Sequence, residues 1–154
     1  MKNAPVTPIL VSACLLGTPC RYDGQSRPAD LSPLTQIAGV KLIPVCPECL
    51  GGLPTPRIPA ERVGDKVVSR EGQDVTAAYR RGAEIALATA KKEGCRYALL
   101  KERSPSCGSA CIYDGNFTGK LISGRGVCCE TLENAGISVY SEENLDALIA
   151  KIQK

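Results

Sequence analysis

VTPILVSA, residues 6–13, is an apolar, β-branched run that ends directly on Cys14. Short apolar runs of this kind, bounded by turn residues, read as buried strands. The same construction recurs. VKLIPV (Val40–Val45) runs into Cys46, YALLK (Tyr97–Lys101) precedes the loop carrying Cys107, and Ile137–Tyr140 supplies a fourth strand. Between these runs the pattern turns helical. Asp30–Ala38, ended by Gly39, reads as a short helix. Asp74–Glu93 is the strongest helix: Asp74 can cap it, Val75, Ala78, Tyr79, Ile85 and Ala86 recur near helical spacing, and Gly94 stops it. Gly126–Asn134 reads as a helix stopped by Gly136. Ser141 caps a last helix with Glu142 and Glu143 in its first turn and Lys151 and Lys154 at its end, as the helix dipole prefers. Gly51–Pro59 is too rich in Gly and Pro for a helix, Asp65–Ser69 is a small strand before a turn, and Ile112–Ile122 is a loose hairpin around Asp114-Gly115.

Strands alternating with helices predict an α/β fold: one three-layer domain over residues 1–154, with a mostly parallel sheet and helices on both faces (Rossmann-like). In such sheets ligands bind beyond the carboxyl ends of the strands. Three strands end at Cys14, at Cys46 and just before the Cys107 loop, so the pattern places three cysteines from distant segments around one crevice.

Nine cysteines and no histidine among 154 residues narrow the chemistry to an all-thiolate metal centre, thiol redox or disulfides. The N-terminal stretch does not suit a signal peptide, and no apolar run reaches membrane-spanning length. The expected compartment is therefore the reducing cytoplasm, where dense cysteine favours metal binding or catalysis over disulfides. A net charge of +3, one Phe, five Tyr and no Trp do not make a nucleic-acid-binding signature, and the expected partner is a small molecule.

Cys46 opens Cys-Pro-Glu-Cys, a pair that suits zinc, an iron–sulfur centre or a redox disulfide. A redox disulfide would want Cys49 inside a helix opening straight after the strand, and Leu50-Gly51-Gly52-Leu53-Pro54 reads as a poor helix start. Structural zinc usually takes two such pairs, and here the other spacings are C-x5-C (Cys14, Cys20) and C-x3-C (Cys107, Cys111). Cys95, Cys128 and Cys129 read as small core residues. Gly51, Gly52 and Gly108 are expected to let backbone approach a bulky group, Tyr22 to stack on a planar ring, Arg21 and Asp23 to pair, and Lys101 and Arg103 either to favour an anionic ligand or to be solvated.

Three ordered motifs carry a resemblance: S-A-C-L-L-G-x-x-C-R-Y-D-G at Ser12–Gly24, C-P-E-x-x-G-G-L-P-T-P-R at Cys46–Arg57, and K-E-R-S-P-S-C-G at Lys101–Gly108. Together they resemble the small bacterial family of thiouracil desulfidases, across nearly the whole chain. That resemblance implies a [4Fe-4S] cluster held only by Cys14, Cys46 and Cys107, with the fourth iron open to a substrate sulfur. It also implies that Glu48 is the acid/base residue and Ser104 an active-site serine. The implied reaction removes sulfur from a thiocarbonyl heterocycle such as 2-thiouracil, giving the carbonyl product and hydrosulfide. Cys49 stands where the motif does not demand cysteine, and with Cys20 and Cys111 it is a candidate fourth ligand that would close the cluster. The alternatives are a non-catalytic iron–sulfur or zinc-binding protein, or a sulfur transferase in tRNA or cofactor metabolism.

Overall fold

The computed structural model describes residues 5–153. Four parallel strands form the central sheet in the order β2-β1-β5-β8: β1 is Thr7–Ser12, β2 Val40–Val45, β5 Tyr97–Leu100 and β8 Ser138–Ser141. Because side chains alternate along a strand, each face of β1 and β5 feeds a different core. Leu10, Ala98 and Leu100 pack with Tyr79, Ala83, Ala86, Ala90, Val127 and Leu132 of helices α3 (Thr76–Glu93) and α4 (Val127–Asn134). Ile9, Val11 and Leu99 pack on the other face with Leu34 of α1 (Ser32–Thr35) and Leu148 of α5 (Leu145–Ile152). The result is the three-layer parallel α/β arrangement the alternating pattern predicts.

Several boundaries differ from the sequence reading, each for a local reason. The helix expected over Asp30–Ala38 shrinks to the single turn α1, with Asp30 Oδ1 accepting from the Ser32 N–H at 3.0 Å and from its hydroxyl at 2.6 Å. α3 starts at Thr76, two residues later than expected, because Asp74 spends its carboxylate on the Thr76 N–H (2.9 Å) in the turn leading in. Gly94 ends that helix at φ 75°, a left-handed conformation suited to glycine. Ser141 does cap a turn, accepting from Glu143 N at 3.1 Å, but the turn is 3-10 over Glu142–Asn144 before α5 begins. Lys154 lies outside the described residues.

Two small antiparallel hairpins flank the sheet: β3 (Ala60–Val63) with β4 (Lys66–Ser69), and β6 (Cys111–Tyr113) with β7 (Leu121–Ser123). β3 is absent from the sequence reading. Ahead of the irregular Gly51–Pro59 stretch, where the sequence reads as a poor helix start, the chain forms a helical turn, α2 (Pro47–Leu50), with Cys46 at its N-cap and Cys49 inside it. Pro47 at the first helical position starts that turn without needing an amide donor, and the glycine pair ends it.

Gly51 and Gly82 explain how α2 sits where it does. A Cβ on Gly82 would meet the Pro47 carbonyl oxygen at 1.8 Å, and one on Gly51 the Ala78 carbonyl oxygen at 2.0 Å. α2 therefore lies backbone-to-backbone on α3. Gly51 serves helix packing, not approach to a bound group as the sequence suggests. Gly108 is likewise enclosed by protein, since its Cβ would lie 2.7 Å from the Cys111 carbonyl oxygen.

Candidate active site

Each of the three expected thiols is delivered by the carboxyl end of a strand. β1 passes into a 3-10 turn, Ala13–Leu16, that carries Cys14; β2 stops one residue before Cys46; β5 leads into the Lys101–Ala110 loop carrying Cys107. All three line one cavity of about 490 Å³, together with Glu48, Tyr79 and Ser104. Cys20 lines it as well, whereas Cys49 and Cys111 do not. The thiols of Cys46 and Cys49 instead both lean on the Cys20 carbonyl oxygen at 3.8 Å. Burial raises the Cys14 thiol to about 11 and the Cys107 thiol to about 12, and burial also pushes Cys46 and Cys20 up. All nine cysteines are free, and Cys128 and Cys129 are fully buried in the core as expected.

The Cys107 loop is held from two sides. On one side Glu102, only 3% exposed, is wrapped by its own loop. Its Oε1 accepts from the N–H groups of Ser109 (2.8 Å), Ala110 (3.0 Å) and Cys111 (3.2 Å), and its Oε2 from the Ser109 hydroxyl at 2.7 Å. Burial alone would raise this carboxyl; the donors outweigh it and hold the group down at about 2. On the other side, the first amides of α4, which no helical carbonyl can satisfy, bind the loop: Val127 N to Pro105 O at 2.9 Å and Cys128 N to Ser106 O at 2.8 Å. Gly126 permits this contact, because a Cβ there would lie 2.3 Å from the Ser106 carbonyl.

Ser104 sits inside this loop. Its oxygen accepts from the N–H groups of Ser106 and Cys107, each at 3.0 Å. Those bonds occupy its acceptor side and leave its proton free to be donated within the cavity it lines.

Glu48 is carried by α2 and is fixed by Arg57, for which the sequence pattern predicts no role. Arg57 Nε donates to Glu48 Oε2 at 2.8 Å, and the Arg57 Nη2 contact falls on that same oxygen. Nη2 also donates to the Cys20 carbonyl at 3.1 Å, and Nη1 to Pro54 O at 3.1 Å, so one guanidinium ties Glu48 to two loops. Burial opposes the Arg57 charge, but the neighbouring Glu48 carboxylate outweighs it and raises the group. Tyr79 of α3, 3% exposed, lines the same cavity as Glu48; burial and then the Glu48 negative charge push its phenol well above the ordinary range. Both guanidinium contacts use Oε2, which leaves Oε1 of Glu48 free of the arginine in the cavity that Glu48 lines.

The outer wall is more open. Tyr22, 41% exposed, lines the cavity with Phe117, Arg27 and Arg70, and the Arg70 guanidinium lies 5.7 Å from the Phe117 ring centre. Arg21 pairs with Asp23 at 3.3 Å, as expected. Lys101 and Arg103 face acids, Glu142 at 2.8 Å and Glu143 at 3.5 Å, rather than standing free for an anion.

The donor set suits a soft metal group. Its thiols are sulfur ligands in a chain without imidazole, and a buried hydroxyl beside Cys107, that of Ser106, has no partner. Among the described residues no three Cys, Asp or Glu side chains close around a single metal ion. Three thiols standing around a cavity fit a polynuclear group better than one zinc ion.

The family description 2-thiouracil desulfurase matches residues 9–144. The chain belongs to that family. Among 2-thiouracil desulfurase relatives, a solved structure described as the [4Fe-4S]-dependent thiouracil desulfidase TudS is 49% identical, with a TM-score of 0.88 over 96% of this chain and 98% of that one. The uncharacterized protein YbbK of Bacillus subtilis (strain 168) is 44% identical over 151 residues, covering 92% of this chain and 99% of YbbK. The desulfurase match spans all three motifs, from within β1 to the turn before α5. No helix among the described residues is long and apolar enough to cross a membrane.

Proposed function

We propose that this chain is a [4Fe-4S]-dependent desulfidase that hydrolyses the C=S bond of a thiolated heterocycle such as 2-thiouracil, releasing hydrosulfide. Residues 1–154 act as one iron–sulfur desulfidase domain on this reading. The observation that carries it is the meeting of Cys14, Cys46, Cys107, Glu48 and Ser104 in one cavity of a chain that belongs to the desulfurase family. Cys14, Cys46 and Cys107 hold the cluster. When bound, the cluster supplies a thiophilic Lewis acid through the iron that no cysteine occupies. Of the three candidate fourth ligands, Cys49 and Cys111 lie off the cavity lining and Cys20 lies on it, so an open iron on this reading requires Cys20 to stay unligated.

The remaining work falls to the chain's own side chains. A planar heterocycle enters past Tyr22, whose half-exposed ring offers a stacking face. Water adds to the thiocarbonyl carbon, and Glu48 Oε1 accepts its proton while Arg57 holds Oε2 and fixes the carboxylate's direction. Ser104, its oxygen already engaged by two amides, donates its proton toward the charge that builds during addition. Glu48 returns that proton to the sulfur, the C–S bond breaks to release hydrosulfide, and the carbonyl forms as Glu48 takes the remaining hydroxyl proton and passes it to solvent. A cytoplasmic setting fits nine unpaired thiols.

The test is anaerobic reconstitution with iron and sulfide, then measurement of uracil and hydrosulfide released from 2-thiouracil. Glu48→Gln is expected to keep its iron and lose about 10²–10⁴-fold in turnover. Turnover near that of the parent would remove Glu48 from the proton transfer, and protein that takes up zinc alone would remove the reading altogether.

A further inference from the structure

Ser106 is 0% exposed, and its Oγ is the buried side-chain polar atom that finds no hydrogen-bond partner among the described residues. Its backbone is fully engaged. Its N–H donates to Ser104 Oγ at 3.0 Å, and its carbonyl accepts from Cys128 N at 2.8 Å and Cys129 N at 3.1 Å. The residue is therefore pinned while its hydroxyl stands idle. A buried hydroxyl without a partner weakens the folded state, so an idle one points to a missing acceptor.

Ser106 immediately precedes Cys107 in the buried loop, and Ser12, at the end of β1, lines the same cavity as Cys107. Ser12 Oγ already accepts from Lys101 N at 2.9 Å, which leaves its proton to give. A neutral thiol is a poor acceptor, whereas a thiolate is a strong one. A charged sulfur on the adjoining Cys107 would supply the acceptor that the buried Ser106 hydroxyl lacks.

We infer that Ser106, assisted by Ser12, is a positioning residue that donates a hydrogen bond to the metal-bound thiolate of Cys107. The inference rests on the reading of Cys107 as a cluster ligand. In the metal-free protein the Ser106 hydroxyl is a small defect; with Cys107 charged and metal-bound it becomes a donor that drains electron density from the thiolate. Donors of this kind tune the potential and retention of iron–sulfur groups.

Opposite effects in the two forms provide the test. Ser106→Ala, purified metal-free, should melt at the parent's temperature or about 2–4 °C higher, since it deletes an unpartnered polar group. The same variant, reconstituted without oxygen, should hold its iron about 10–100-fold more weakly against a competing chelator, and its cluster should have a lower reduction potential. Ser12→Ala also strips the Lys101 amide of its acceptor and should lose stability in both forms. A metal-free Ser106→Ala that melts lower or fails to fold would make the hydroxyl structural and overturn the inference. Iron retention and potential equal to the parent's would overturn it too, with the ligand reading intact. A parent protein that takes up no iron and sulfide would instead sink that ligand reading, and the inference with it.

Discussion

Glu102→Gln keeps the shape of the side chain and removes only its charge. In the folded protein that charge is met by three amides at 2.8–3.2 Å and one hydroxyl at 2.7 Å. Holding the carboxyl at about 2 instead of its ordinary 4.5 is worth about 3 kcal/mol at about 1.36 kcal/mol per pH unit. Hydrogen bonds to charged groups, about 1.5–3 kcal/mol each, give the same order. The folded-state value is depressed, so this stability is fully present above about pH 5 and fades as pH falls from 4.5 towards 2. Thermal unfolding of metal-free protein at pH 7 should therefore show Glu102→Gln melting roughly 6–12 °C below the parent, taking about 2–4 °C per kcal/mol for a chain of this size. The gap should narrow steadily between pH 5 and pH 2.5, and amide exchange at Ser109–Cys111 should quicken in the variant at pH 7. Equal melting at pH 7, or a gap that stays constant down to pH 2.5, would refute the view that a buried carboxylate organises the Cys107 loop.

Two other predictions concern the site's supports. Gly82→Ala places a methyl 1.8 Å from the Pro47 carbonyl oxygen, and forcing α2 off α3 should cost at least about 1–3 kcal/mol by denaturant unfolding. In the reconstituted enzyme it should also lower turnover, because Glu48 rides on α2. Cys20→Ser, Cys49→Ser and Cys111→Ser should keep the parent's iron content, while Cys14→Ser, Cys46→Ser and Cys107→Ser should each lose iron on gel filtration under nitrogen; iron loss in Cys20→Ser, Cys49→Ser or Cys111→Ser would point to a fourth ligand and a closed cluster.

The central sheet was legible because β1, β2 and β5 are short apolar runs whose neighbours are glycines, prolines and cysteines. β1 and β5, largely buried within the sheet, leave little else for such a run to be, while β2 is a more exposed edge strand read from its apolar run alone. The convergence of Cys14, Cys46 and Cys107 followed from the same signal, since a parallel sheet puts all its carboxyl ends at one edge. β3 escaped because Ala-Glu-Arg-Val carries its inward-facing groups as charges. Glu61 Oε1 accepts from Gly115 N at 2.9 Å and Phe117 N at 3.1 Å, and Arg62 donates to Arg125 O at 2.8 Å, partners 54 to 63 residues away that no local pattern reveals. The roles of Arg57, Tyr79 and Glu102 were hidden for the same reason. Arg57 and Glu102 are ordinary surface-type residues by sequence and Tyr79 reads only as part of the apolar face of its helix; each is made into an anchor by what folds over it. The helical turn α2 was missed because a glycine pair reads as a breaker, whereas here it is what allows two helices to touch.

That contact between α2 and α3 has a consequence for how the protein could be altered. With no side chain between the two backbones, the bearing of Glu48 is inherited from an 18-residue helix rooted in the core, and no rotamer or loop shift can retune it. The facing wall, carrying Tyr22, Arg70 and Phe117, is built on turns and hairpin connections with no such backbone seam. Efforts to broaden which heterocycles are accepted should therefore be confined to that side, leaving the glycine seam untouched.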